Sequence, residues 1–210
     1  LAKDAVGPDG GVDGLDINAT MIAKARTLVA GRDIAWIERD VCDNGLPSES
    51  YDVILSQHGY HYFPDKQRAL REFGRLLVPA GRVGFSIWDG HSAYTRVLCG
   101  ALERYLSPEV AEKQRSQRET PTANELLDQV KAAGFGKVEI LRQELQISVP
   151  LAGEFVPQHL CSMPIAGAFM ALDDATKAAL VNEVAQGLDA YVDNGRIVYP
   201  DAVHLVIGRK

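Results

Sequence analysis

Short apolar runs alternate with amphipathic stretches along the first part of the chain. The short runs are typical of buried strands, and stretches with apolar residues every three or four positions are typical of helices packed on a sheet. The predicted strands are residues 11–16, 34–40, 51–56 and 83–88, and the predicted helices are residues 18–30 and 64–77. This alternation predicts right-handed crossovers between parallel strands, with helices on both faces of the sheet.

The second half of the chain is predicted to be mostly helical, with two strands near its end. The predicted elements are helices at 93–106 and 120–134, two helices within 151–192 that separate near 172–174, and strands at 138–149 and 202–209. Residues 108–119 carry many charges, so we expect them to be exposed. The whole pattern predicts an α/β protein with a mostly parallel sheet.

Two of the predicted strands end in an acidic residue, Asp16 and Asp40. In open α/β sheets, ligands bind at the carboxyl ends of the strands. A carboxylate there suits a nucleoside, because it accepts hydrogen bonds from both ribose hydroxyls. Two alternatives stay open: Asp16 as an acid favoured at a helix start, and Asp40 as a carboxylate that caps its loop, with Asp43 as a competitor.

Composition argues against several classes of protein. The 210 residues are 46% hydrophobic and 24% charged, which is typical of a globular domain with a sizeable core. The net charge of −6 argues against nucleic acid or an anionic membrane as the main partner. Cys42, Cys99 and Cys161 form no CxxC pair and are predicted to be buried free thiols. Without a signal peptide or an apolar run of about 18 residues, a cytoplasmic location is expected.

A resemblance to a known family is carried by four segments: LDIN, ERDV, LPSESYDVILSQHGYHYFPDKQRALREFGRLLVPAGRV and AAGFGKVEI. The chain resembles the class I S-adenosylmethionine-dependent methyltransferases, in particular the ubiquinone/menaquinone-biosynthesis and similar small-molecule enzymes (methyltransferase type 11). The resemblance covers about residues 1–150. It implies a Rossmann-like, doubly wound fold whose mostly parallel sheet ends in an antiparallel strand, here residues 138–149 and 203–209.

The same resemblance implies S-adenosylmethionine as the cofactor and the transfer of its methyl group to a small-molecule acceptor by in-line displacement. In that family, the acid after the second strand holds the ribose, the acid after the third strand lies near the adenine amine, and the segment after the fourth strand faces the sulfonium and the substrate. The cofactor-binding residues implied here are Asp16, Ile17, Met21, Asp40, Val41, Ser56 and Gln57.

If the methyl acceptor has to lose a proton during the reaction, a general base must accept that proton. The candidates are His58 and His61 in the segment QHGYHYF. The alternatives are that His58 is only a polar residue at the strand end and that His61 packs under the next helix. No third metal ligand accompanies these histidines, so no metal site is predicted. Residues 155–170 are expected either to roof a substrate pocket or to form helix core.

Two other functions remain open at this point. An NAD(P)-dependent oxidoreductase of the Rossmann type also uses an acid after its second strand. An antiparallel final strand would favour the methyltransferase over that enzyme. The second alternative is a methyltransferase-like module that mediates interactions without catalysis. The oligomeric state and the methylated atom, whether oxygen, nitrogen or carbon, are not predicted.

One departure from the family concerns its first strand and glycine-rich loop, which have no counterpart in the sequence. Residues 7–11 are rich in glycine, but they follow a helical segment and not a strand. We therefore expect residues 1–210 to be a single methyltransferase domain that is incomplete at its amino end, with a helical insertion at 150–200 that covers the substrate. An intact natural protein with a mass near 22.9 kDa would contradict this expectation.

Overall fold

The strands and helices follow the predicted order in the computed structural model, which describes residues 1–210. The strands are β1 (Asp13–Asp16), β2 (Ala35–Glu38), β3 (Tyr51–Gln57), β4 (Leu77–Trp88), β5 (Lys137–Val149), β6 (Val192–Asp193) and β7 (Arg196–Arg209). The helices are α1 (Ala2–Ala5), α2 (Ala19–Leu28), α3 (Lys66–Leu76), α4 (Ala93–Tyr105), α5 (Pro108–Ser116), α6 (Ala123–Ala132), α7 (Ala152–Cys161), α8 (Ala166–Met170) and α9 (Asp174–Gly187). Asn18, Thr122 and Asp173 start α2, α6 and α9 by accepting hydrogen bonds from first-turn N–H groups.

The strands form two sheets. β1 and β2 pair in parallel, with Asp16 opposite Glu38. The second sheet has the order β3-β4-β7-β5, in which β3 and β4 are parallel and β7 is antiparallel to both β4 and β5. The predicted α/β fold with an antiparallel final strand is therefore confirmed. This final strand also favours the methyltransferase over the oxidoreductase.

A gap separates the two sheets, between β1 and β3. No backbone hydrogen bond joins these strands, and Val53 and Leu55 of β3 are 42% and 71% exposed. The Tyr51 hydroxyl crosses the gap and donates a hydrogen bond to Asp13 Oδ2 at 2.5 Å. The facing edges of β1 and β3 therefore have no strand partner within this chain. That a further segment of polypeptide pairs with these edges stays a prediction.

Two apolar cores lie against the second sheet. One joins α3 and α6 to β4 and β7, and the fully buried Leu70 and Leu126 are at its centre. The other joins α4, α7, α8 and α9 to the beginning of β7. The helices α7 to α9 lie between β5 and β7 in the chain, where an insertion was predicted, and they number three instead of two. None of the helices is both long and apolar enough to cross a membrane.

The segment 108–119 is exposed on one side, as its charges predicted, and buried on the other. It contains α5, whose Ala111 and Gln114 are buried, and it continues to the buried Arg118. Ala111 and Gln114 are three positions apart on one face of α5, and Arg118 lies in the turn that follows the helix, whereas Glu112 and Lys113 are exposed. The prediction was based on the number of charges alone. The spacing of Ala111 and Gln114 indicates a helix with one buried face.

Three further expectations need correction. Cys42 and Cys99 are buried, but Cys161 is exposed, because it ends α7 on its outer side. β4 and β7 begin earlier than predicted, at Leu77 and Arg196. Their first residues are held by pairing with β3 and β5, which are distant in sequence, so local pattern alone did not reveal these starts.

A buried ion pair connects distant parts of the second sheet. Arg118 donates through Nη2 to Asp201 Oδ1 at 2.7 Å, and the two side chains are 10% and 4% exposed. Arg118 also donates through Nε to the Gly90 carbonyl, and its guanidinium lies 4.2 Å from the centre of the Trp88 ring. The pair therefore holds the segment after α5 against β7 and the end of β4.

The change Asp201→Asn is expected to lower the free energy of unfolding by about 3 kcal/mol, because it leaves the Arg118 charge buried without a counter-charge. Urea denaturation measures this. The control is Glu183→Gln, which breaks the pair between Glu183 and the exposed Arg104 at 3.0 Å and is expected to cost less than about 1 kcal/mol, because solvent reaches this pair. Equal losses in the two variants would contradict the importance given to the buried pair.

Candidate functional site

A cavity of about 740 Å³ lies at the carboxyl ends of β1, β2 and β3, and we call it the first cavity. Its lining includes all seven residues that the sequence pointed to: Asp16, Ile17, Met21, Asp40, Val41, Ser56 and Gln57. The cavity continues into the gap between the sheets, since Leu15, Val53 and Leu55 also line it. The fold thus brings the predicted residues together, and their roles in binding remain predictions.

The two carboxylate oxygens of Asp16 differ in their hydrogen bonding. Its Oδ1 accepts a hydrogen bond from the backbone N–H of Asn18 at 2.8 Å, and the Asn18 side chain in turn accepts from Thr20 and Met21 at the start of α2. Asp16 Oδ2 has no partner within the protein. The carboxylate is therefore fixed in orientation by one oxygen while the other stays available to a ligand.

Asp40 is held in a similar way, since its Oδ1 accepts from the Cys42 N–H at 2.8 Å. The loop that follows is fastened to α3 by the buried Asn44, whose amide donates to Glu72 Oε2 at 2.9 Å and accepts from Arg75 at 3.2 Å. The hydrogen bond from Arg75 holds the pKa of Glu72 below its ordinary value. This cluster fixes the loop, and no local pattern indicates it, because Asn44 is about 30 residues from Glu72 and Arg75.

Asp43, the competitor of Asp40, lies outside the first cavity. It pairs with Arg68 at 3.3 Å on the surface. The glycine-rich residues 7–11 are likewise absent from the cavity lining. Of the two competitors, Asp40 and not Asp43 therefore lines the first cavity together with Asp16.

The residues present fit the adenosine half of S-adenosylmethionine. A ribose presents two hydroxyl donors, and Asp16 Oδ2 is a free acceptor. A purine ring needs apolar cover, and Ile17 and Met21 leave 68% and 58% of their surface exposed beside the cavity. Exposed apolar side chains at a cavity mark a surface that a ligand covers.

His58 follows β3 with a positive φ of 51°. Its backbone N–H donates to the Ser86 carbonyl at 3.1 Å, and its ring stacks on Trp88 with centroids 4.2 Å apart. Burial, followed by the charge of Arg118, lowers the pKa of His58 below its ordinary value. His58 lines neither the first cavity nor the second one described next.

His61 lines a second cavity of about 260 Å³, between the end of β4 and helices α4, α5 and α7. Its Nδ1 is buried without a hydrogen-bond partner. Burial, together with the neighbouring His58, lowers the pKa of His61 to about 4, so its ring is neutral at physiological pH. Tyr62 lines both cavities, which therefore adjoin at this residue.

The second cavity also contains residues that the sequence analysis did not select. Trp88, Tyr94, Gln114 and His159 line it, and the Tyr94 hydroxyl lies 2.6 Å from His159 Nδ1. The spacing of three residues between Ala111 and Gln114 is a helical signal from which the buried position of Gln114 could be predicted. No local pattern links Tyr94 to His159, which are 65 residues apart.

The stretch 155–170 combines both alternatives that were left open for it. Phe155 and Met163 line the second cavity, whereas Phe169 is 3% exposed in the helical core and Met170 is 61% exposed. The beginning of the stretch therefore borders the cavity, and its end does not.

Comparisons of the sequence with known proteins give a consistent result. A family described as Methyltransferase domain matches residues 3–85. Nocamycin O-methyltransferase of Saccharothrix syringae is 26% identical, over 99% of this chain and 79% of that protein. Demethylmenaquinone methyltransferase of Listeria welshimeri is 25% identical, over 67% of this chain and 66% of that protein.

The structure is similar to that of phosphoethanolamine N-methyltransferase 2 of Haemonchus contortus in complex with S-adenosyl-L-methionine. The TM-score is 0.54 and the identity 15%, over 95% of this chain and 43% of that chain. At this identity the likeness concerns the fold alone.

Stability is expected to fall as the pH decreases from about 6.5, the ordinary pKa of histidine. The pKa values of His58, His61, His91 and His159 are lowered in the folded chain, mainly by burial. The unfolded chain therefore binds protons first, and acid favours unfolding until the folded-state pKa is reached, which for His61 is about 4.

The variant His61→Gln isolates one of these protons. We expect the loss of unfolding free energy between about pH 7.5 and about pH 5 to be smaller in this variant than in the unaltered chain. Urea denaturation at the two pH values measures this loss. The higher pH is the control for each protein, because there His61 of the unaltered chain is neutral in both the folded and the unfolded state. An identical loss in the two proteins would contradict the lowered pKa of His61.

Proposed function

We propose that the chain is a class I S-adenosylmethionine-dependent methyltransferase, to which family its relatives are assigned by name, and that it methylates a small molecule bound in the second cavity. The observation that carries this proposal is the position of Asp16, Ser56 and Gln57 around the first cavity, next to a second cavity that begins at Tyr62. The names of the two curated relatives, which refer to nocamycin and demethylmenaquinone, support an acceptor that is a small molecule.

We assign the cofactor to the first cavity. Asp16 accepts the ribose hydroxyls through its free oxygen, and Ile17 and Met21 cover the adenine. Asp40 and Val41, in the loop that follows β2, lie on the other side of the adenine. Ser56 and Gln57, at the end of β3, face the methionine part. The available oxygen of Asp16 and the exposed apolar surface of Ile17 support this assignment.

When bound, S-adenosylmethionine supplies a methyl group on a positively charged sulfur, and the carbon–sulfur bond breaks with its electron pair returning to sulfur as the acceptor's lone pair bonds to the methyl carbon. The protein has to align the two reactants and exclude water. Alignment alone contributes on the order of 7 to 11 kcal/mol. The partly enclosed second cavity, with its aromatic walls, supports both the alignment of the reactants and the exclusion of water.

His61 is the better candidate for the proton acceptor. It lines the second cavity, its Nδ1 has no partner, and its ring is neutral because its pKa is lowered to about 4. A neutral imidazole accepts a hydrogen bond or a proton from an acidic acceptor group. His58 lies outside both cavities beneath Trp88, so we assign it the role of supporting the Trp88 ring.

Three expectations from the sequence stay predictions. The net charge of −6 argues against nucleic acid as the substrate. The cytoplasmic location stays a prediction, as does the role of α7 to α9 as a cover over the acceptor.

The change Asp16→Asn is expected to weaken the binding of S-adenosylhomocysteine by about tenfold or more, because a hydrogen bond to a charged group contributes about 1.5 to 3 kcal/mol. The amide oxygen still accepts from Asn18, so the start of α2 is retained. Isothermal titration calorimetry on the full chain measures the dissociation constant.

The matched control is Asp52→Asn, on β3. Asp52 is exposed and does not line the first cavity. This variant is expected to bind S-adenosylhomocysteine as tightly as the unaltered chain. An unchanged dissociation constant in Asp16→Asn would refute the assignment of the ribose site.

A further inference from the structure

The second cavity contains a polar atom that nothing in the protein satisfies. Gln114, on α5, is 5% exposed, and its Oε1 is buried without a hydrogen-bond donor. The Tyr94 hydroxyl in the same cavity already pairs with His159 Nδ1 at 2.6 Å. Since buried polar atoms in folded proteins are almost always paired, Gln114 Oε1 requires a donor from whatever occupies the cavity.

The walls of the cavity are largely aromatic. Trp88, Tyr94, Phe155 and Tyr199 line it, and the Tyr94 ring lies 5.2 Å from Phe155 and 6.0 Å from Tyr199 between centroids. Aromatic side chains prefer stacked or edge contacts with other rings. With a volume of about 260 Å³, the cavity suits a flat compound of one or two rings.

The cavity has no charge to offer an ionised ligand. Arg118 and Asp201 are its only charged lining residues, and they neutralise each other at 2.7 Å. Arg118 is further engaged by Gly90 and by the face of Trp88. An ionised ligand would therefore be buried without a counter-charge, which is strongly unfavourable.

We propose that the second cavity takes a neutral, flat ring compound with a hydroxyl or amine hydrogen, and that Gln114 Oε1 accepts that hydrogen. Gln114 is then a residue that determines specificity by selecting a donor group on an uncharged ring. The proposal rests on the proposed function in so far as this compound is the methyl acceptor. Its binding is measurable without methyl transfer, so the two proposals are tested separately.

The first test compares three probes with one ring system: 2-naphthol, which is uncharged and has a hydroxyl; 2-methoxynaphthalene, which has no donor; and 2-naphthoate, which is anionic. Binding is followed by quenching of Trp88 fluorescence in the Trp36→Phe background, since these are the two tryptophans of the chain and only Trp88 lines the cavity. Calorimetry on the unaltered chain repeats the measurement. We expect 2-naphthol to bind about tenfold more tightly than either other probe.

The second test uses Gln114→Met, which keeps the length and helix propensity of the side chain but removes its oxygen. The variant is expected to lose the preference for 2-naphthol over 2-methoxynaphthalene. It is also expected to unfold at the same or a higher temperature, because an unsatisfied buried oxygen is removed. The matched control is Gln117→Met, which makes the same change at a residue that lines the same cavity without an orphaned buried atom, and which should keep the preference.

Equal affinity for 2-naphthol and 2-methoxynaphthalene in the unaltered chain, or tightest binding of 2-naphthoate, would overturn the proposal. A preference retained in Gln114→Met would overturn the role of Gln114. Titration of the same samples with S-adenosylhomocysteine separates the two proposals. Binding of S-adenosylhomocysteine without naphthol discrimination counts against this inference alone, and the reverse result counts against the proposed function alone.

Discussion

The carboxyl ends of β1 and β3 have to stay side by side although no backbone hydrogen bond joins the two strands. Asp16 stands at one end and Ser56 with Gln57 at the other, so every contact across the first cavity depends on this spacing. Side chains maintain it: Tyr51 donates to Asp13 across the gap at 2.5 Å, and the Asn44 cluster fastens the loop after β2 to α3. Within this chain, these polar contacts and not a shared backbone ladder connect the elements on the two sides of the first cavity.

The two cavities differ in charge, and the difference matches a division of tasks. The first is lined by Asp13, Asp16 and Asp40 against a single base, Arg39, so it favours a positively charged ligand. In the second, the only charges cancel each other in a buried pair. A cationic methyl donor and an uncharged acceptor are the combination that this arrangement receives without an uncompensated buried charge.

The sequence predicted what local pattern determines. The first apolar run stops at Asp16, which ends β1 as predicted, whereas β2 ends at Glu38, two residues before Asp40. The predicted separation of two helices near 172–174 agrees with the start of α9 after Asp173. Contacts between distant residues could not be predicted. Arg118 and Asp201 are 83 residues apart, and Tyr94 and His159 are 65 apart. Gln114 was missed for another reason, since the charges around it hid the period of three to four that turns it inward.

The weak basicity of His61 in the second cavity restricts which acceptor groups it can deprotonate. His61 is neutral with a pKa of about 4, so it removes a proton efficiently only from a group that is already acidic or becomes acidic as its bond to the methyl carbon forms. A phenol-like or enol-like hydroxyl meets this condition, and an aliphatic hydroxyl does not. Burial lowers the pKa of His61 and also leaves Gln114 Oε1 without a partner in the protein, so the proton affinity of the base and the choice of ligand have one physical cause.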